Sequence, residues 1–227
     1  VSSLDINRLQ KAWDEACEGM HFAMNFLKNN VGIDSPALLS SPFMVVAISY
    51  FGHMRNYQIS PDESKLLRYW VLAANAKGRF SRGSSETLLD QDIASIRDGG
   101  TIQDLIDRLR SQVGRLEISP EELSGRNQRS ALFKTMFLAF RSAGAKDWHS
   151  NLTIALDHSG VQHRLQFHHI FPKAVLTKAG VISREADDIA NLAFIGGKTN
   201  RVISDKPPKE YLAFFAAKSG EEGFSVQ

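Results

Sequence analysis

Through the first two thirds of the chain, apolar residues recur at steps of three and four, the spacing of helices with one buried face. Ile6, Leu9, Trp13, Ala16, Met20, Ala23 and Leu27 line one side of a first helix and predict a packed face. Phe43 to Phe51 is apolar but short, which predicts a buried helix rather than a membrane span. Ser35-Pro36 and Ser41-Pro42 are helix starts, and Ser60-Pro61-Asp62-Glu63 adds a capping-box glutamate to an N-cap serine and a first-turn proline. The helix it opens carries Leu66, Leu67, Trp70, Val71 and Ala74 and stops near Gly78. Ser85-Glu86, Thr101 with Asp104, and Ser119-Pro120 open three more, with Gly99-Gly100 and Gly114 between them. A last long helical segment, Arg126 to Ala143, gathers Leu132, Phe133, Met136, Phe137 and Phe140 on one side. Its Arg126, Arg129 and Lys134 read as a solvated face or a phosphate-binding one.

Gly144-Ala145-Lys146-Asp147-Trp148 breaks the helical period, and beyond it come β-branched and aromatic runs such as Val161 to Phe171. The expected architecture is mainly α: a helical domain over residues 1–148, followed by a small domain over 149–227 that opens with strand-like runs. Ser204-Asp205 and Pro207-Pro208 announce the last helix, through Tyr211, Phe214 and Phe215.

Composition narrows the class only slightly. A formal charge of +2 and a pI near 8.7 over 227 residues are mildly basic, so any nucleic-acid surface has to be local. The single cysteine, Cys17, cannot form an internal disulfide and is expected as a buried thiol, which fits the cytoplasm. No leader peptide opens the chain, and the abrupt first residue, Val1, suggests a piece cut from a longer protein.

The chemistry concentrates near the end. Phe167-His168-His169-Ile170-Phe171-Pro172-Lys173 is followed by Asn191-Leu192 and by Thr199-Asn200-Arg201. Adjacent side chains on a strand point to opposite faces, so His168 and His169 take different roles, one toward a metal and one toward substrate. Phosphodiester hydrolysis asks for a proton acceptor near neutral pH and a cation for the developing charge. Histidine is the side chain whose unperturbed pKa, about 6.5, suits the first task. The Asn200 amide suits Mg²⁺ or Mn²⁺, while an imidazole at His168 tilts the preference toward Mn²⁺, Ni²⁺ or Zn²⁺. His158 and His163 lie close upstream without a zinc-type spacing.

This ordered set resembles the HNH (His-Me finger) nuclease superfamily, whose core is a ββα-metal fold. The resemblance implies that His169 is the general base, that His168 and Asn200 ligate one divalent metal, Mg²⁺ first, and that Asn191 orients the base and its loop. Many members carry Asp where this chain has His168. Within the superfamily the layout is similar to the C-terminal part of GmrSD-type modification-dependent restriction enzymes and related phage-defence proteins. Trp70, the Gly78-Arg79-Phe80-Ser81 run and Ala145-Lys146-Asp147-Trp148 precede the nuclease motif in that order.

That resemblance implies a DNA endonuclease effector whose N-terminal sensor domain lies outside this chain. The loop Lys77 to Thr87 offers Arg79 and Arg82 to a nucleic-acid backbone, and Lys198 and Arg201 flank the last motif. Two other classes remain open on the residues: an inactive nucleic-acid-binding or partner-docking module, and a structural metal site. An intact His169 favours the enzyme, because a scaffold needs no base there.

Overall fold

The computed structural model describes residues 5–81, 83–156 and 165–219, and it is mainly helical with one small two-stranded antiparallel sheet near the C-terminus. Two compact units divide at Glu117/Ile118. Among the described residues no helix is long and apolar enough to cross a membrane.

The first unit is helical throughout: α1 (Ile6–Phe26, continued by a π-helical turn Leu27–Val31), α2 (Phe43–Met54), α3 (Pro61–Lys77), α4 (Ser85–Arg97) and α5 (Ile102–Val113). The expected capping box at α3 forms, and the helix start read at Thr101 and Asp104 is a second one. Ser60 and Glu63 bond reciprocally at the start of α3 (3.2 and 3.0 Å), as do Thr101 and Asp104 at α5 (3.4 and 2.6 Å). Gly78, with φ +66°, ends α3 in the left-handed conformation that glycine adopts without strain. Leu67, Trp70, Val71 and Ala74 are fully buried, as are Met44, Ile48 and Phe51 of α2.

The first helix departs from expectation. Ala23 and Leu27 are buried, but Ile6 is 80% exposed, Trp13 67% and Met20 50%. The face that packs on α2 is the adjacent one, through Gly19, Ala23 and Phe26. Two glycines set this choice. A Cβ on Gly52 would collide with the Phe22 ring, and one on Gly19 would crowd Ser49, so the helices meet where side chains are absent. Cys17 is free and half-buried rather than sealed.

The second unit runs α6 (Pro120–Leu123), α7 (Ala131–Ser142), β1 (Leu165–His169), α8 (Lys173–Lys178), α9 (Ser183–Ala186), β2 (Leu192–Gly196), α10 (Gly197–Ile203) and α11 (Pro208–Ser219). The strands pair antiparallel, with His168 opposite Ala193 and His169 opposite Leu192. The expected boundary at residue 148 therefore falls inside this unit, and the reason is aromatic packing. Phe194 of β2 is fully buried, with the rings of Phe133, Phe137 and Phe140 of α7 at 4.9, 5.2 and 6.0 Å. Phe133 also meets Phe167 of β1 edge-on at 4.8 Å, so α7 covers one face of the hairpin. Ala193 and Ile195 belong to a second cluster with Trp148, Ile203, Tyr211 and Phe215. Strand alternation puts His168 on this second side, between Trp148 and Tyr211, with ring centroids at 6.4 and 5.9 Å.

Candidate functional site

The two histidines end β1 and diverge as alternation requires. His168 is buried and its Nδ1 lies 2.8 Å from Asn200 Oδ1 on α10. An amide oxygen only accepts, so Nδ1 carries the proton and donates, while the buried Nε2 has no hydrogen-bond partner. Burial pushes the pKa of this imidazole below its ordinary value, with the Asn200 bond working partly against that shift. The ring is neutral at pH 7, the state a metal ligand requires. Asn200 is oriented from its other side, where Nδ2 donates to Gln166 Oε1 at 2.6 Å. Gln166 stands two residues before His168 on the same strand face.

His169 is more open, with its side chain 25% exposed, and its Nε2 lies 2.8 Å from Asp187 Oδ1. Lys173 approaches the same carboxylate at 2.7 Å. The Lys173 ammonium and the His169 imidazole hold the Asp187 carboxyl below the usual carboxylate range. An ionised carboxylate can only accept, so Nε2 bears the hydrogen and Nδ1 of the neutral ring keeps its lone pair. Nδ1 makes no hydrogen bond among the described residues.

Asn191 works on the backbone rather than on the ring. It ends a 3-10 turn (Ile189–Asn191) just ahead of β2 instead of lying within that strand. Its Oδ1 accepts from Phe171 N–H at 2.8 Å, and its Nδ2 donates to the carbonyls of Phe171 (3.1 Å) and Ala186 (2.9 Å). The same residue's carbonyl accepts from Ile170 N–H at 2.8 Å. These bonds clamp the turn that leaves β1 to the segment carrying Asp187.

The expected nucleic-acid contacts separate into groups. Lys198 and Arg201 are exposed on α10, on either side of Asn200. Arg79 is not a surface cation. Its side chain is 2% exposed and chelates Asp92 through Nε and Nη2 at 3.1 and 2.7 Å, while Nη1 donates to Gln112 at 2.6 Å. Backbone capping by Gly78 turns the chain inward at this point, so Arg79 does not belong among the nucleic-acid contacts. Arg82, His158 and His163 lie outside the described residues.

The sequence by itself does not single out Asp187 or Gln166, since neither belongs to a recognisable spacing. The one usable signal for Gln166 is strand periodicity, which sets it beside His168. A divalent cation could be held by His168 Nδ1 and Asn200 Oδ1 only once the proton of the metal-free Nδ1–H···O bond has moved to Nε2, and the spacing of the two atoms then suits it. Neighbouring ligands of an octahedral ion with bonds of about 2.1 Å lie about 3 Å apart, against the 2.8 Å between Nδ1 and Oδ1. Among the described residues no three or more His, Cys, Asp or Glu side chains gather in one place, so such an ion would be held largely by water.

No protein-family model matches the chain, and no solved structure matches it. An uncharacterized protein of the archaeon Methanocaldococcus jannaschii is 25% identical over 158 residues, which cover 67% of this chain and 25% of the relative. The chain thus spans about a quarter of the length of that relative.

Proposed function

We propose that this chain is a divalent-metal-dependent endonuclease of the HNH type acting on DNA. The observation that carries the reading is the division of labour at the end of β1: His168 turned inward onto Asn200, His169 turned outward with Asp187 at its Nε2. In this reading His169 accepts a proton from a water molecule at Nδ1, and Asp187 keeps the ring in the required tautomer and balances the imidazolium that forms. Asn191 holds the backbone of the turn so that the ring stays in place. Lys198 and Arg201 meet flanking phosphates, which position the strand without reading its bases. His168 and Asn200 would hold the cation, which when bound stabilises charge on the phosphate and the leaving oxygen.

The reading extends to the wider resemblance: a nuclease effector portion of a restriction or phage-defence protein, working in the cytoplasm, with recognition supplied by a sensor domain. The greater length of the archaeal relative is compatible with such a larger protein. The deciding experiment is incubation of supercoiled plasmid with the chain and a panel of Mg²⁺, Mn²⁺, Ni²⁺ and Zn²⁺, with and without chelator. Nicking that needs a metal and stops with chelator is expected. Retarded migration of DNA with no nicking in any metal would instead identify a binding module.

A further inference from the structure

Asp147 is a carboxylate that ought not to be ionised where it stands. It is 6% exposed, and burial opposes its charge, yet donors from Thr199, Gly196 and Ser150 outweigh that penalty and hold its pKa below the ordinary value. One oxygen accepts from the Thr199 hydroxyl at 2.6 Å, from Ser150 N–H at 2.7 Å and Oγ at 2.8 Å, and from His149 N–H at 3.1 Å. The other accepts from Gly196 N–H at 2.6 Å. The carboxylate is anchored in its own turn, since Asp147 N–H donates to the Leu152 carbonyl at 2.8 Å and Ile154 N–H to that of Ala145 at 3.1 Å.

The bonds to Gly196 and Thr199 cross about fifty residues of sequence and land where β2 becomes α10. That helix has only seven residues and no capping side chain of its own at Gly196. Thr199 is 1% exposed, and valine would fill the same space in a packed interior without needing a partner. The residue after Thr199 is Asn200.

We propose that Asp147 is a positioning residue: through Thr199 and Gly196 it fixes the first turn of α10 and thereby holds the Asn200 amide against His168. The inference rests on the reading of His168 and Asn200 as the metal pair, which gives that alignment its purpose. Gln166 sets which way the amide faces, and Asp147 sets where it stands. Outer partners of this kind typically change metal affinity by about 10–100-fold when removed.

Imidazole ¹⁵N spectra recorded without metal test the geometry apart from the chemistry, in the wild type, Thr199→Val, Thr199→Ser and Asp147→Asn. His168 of the wild type is expected to be fixed as the Nδ1–H form. Thr199→Val should release it to a mixture of tautomers, because Asn200 Oδ1 no longer stands in line to accept from Nδ1, while Thr199→Ser retains the fixed form. Asp147→Asn should follow Thr199→Val, and if that variant does not fold, the two threonine variants still decide. A folded Thr199→Val with an unchanged His168 spectrum overturns the proposal. A released tautomer in Thr199→Val, in a protein whose wild type neither binds Mn²⁺ nor nicks plasmid, upholds the positioning role and removes the nuclease reading instead.

Discussion

Two carboxylates with basic partners, one in each unit, show what burial alone does to such a pair. Asp92 and Arg79 are 0% and 2% exposed, sealed and bidentate, and burial pushes the Asp92 carboxyl above its ordinary value despite the guanidinium beside it. Asp187 and His169 are 36% and 25% exposed, and there Lys173 and the imidazole draw the carboxyl down. Asp92 meets a guanidinium out of reach of water, whereas Asp187 meets the Lys173 ammonium and an imidazole at the surface. A desolvated pair adds little net stability, but each partner is costly to remove because the other is left charged in the interior. An open pair costs little to keep and leaves a ring nitrogen available to a water or a phosphate. Arginine in a loop next to glycine looks like a phosphate ligand in one dimension, and only the depth of the site shows otherwise.

The widest separation should come from activity. His169→Ala is expected to lower metal-dependent plasmid nicking by about 10²–10⁴-fold with little change in unfolding midpoint, because the substitution removes a positioned base and leaves the core intact. Nicking at the wild-type rate by the purified variant would remove His169 from the chemistry.

The next contrast is stability. Asp92→Ala should cost about 3–5 kcal/mol in denaturant unfolding by stranding Arg79, whereas Asp187→Ala should leave the midpoint near wild type and reduce nicking. Equal midpoints for the two variants would show that the depth of the pair does not matter.

A pH scan addresses the inward histidine. Burial lowers the folded pKa of His168 relative to its ordinary value of 6.5, so the unfolded chain takes up the proton first. Stability is therefore full above about pH 6.5 and declines as pH falls from there toward the folded pKa. His168→Gln should flatten that decline in thermal melts, and an unchanged slope would place its origin elsewhere.

The smallest effect concerns the exposed cations. Replacing both Lys198 and Arg201 by alanine should reduce the salt slope of DNA binding by about 0.9 for each duplex phosphate that is no longer neutralised, while Arg79→Lys leaves the slope unchanged. A slope that moves with Arg79 and not with the α10 pair would reverse the assignment of surfaces.

Much of the local structure is legible in one dimension. Ser60 with Glu63 and Thr101 with Asp104 declare their helices because a cap joins residues three apart. Leu67, Trp70, Val71 and Ala74 are buried as their period implies, while Leu66 at the edge of the same face is exposed. His168 and His169 diverge because a strand has no other choice. What the chain does not declare is partners distant in sequence. An amphipathic pattern shows that α7 has an apolar face but not that the hairpin receives it, which is why the boundary lies at Glu117/Ile118 and not at residue 148. The stripe on α1 is real, but two glycines offer α2 a closer approach on another face. Asp187 reaches His169 across 18 residues, Gln166 reaches Asn200 across 34, and Asp147 reaches Thr199 across 52. Side chains so separated share no period and no spacing, so their meeting is decided only when the packed core fixes which elements lie side by side.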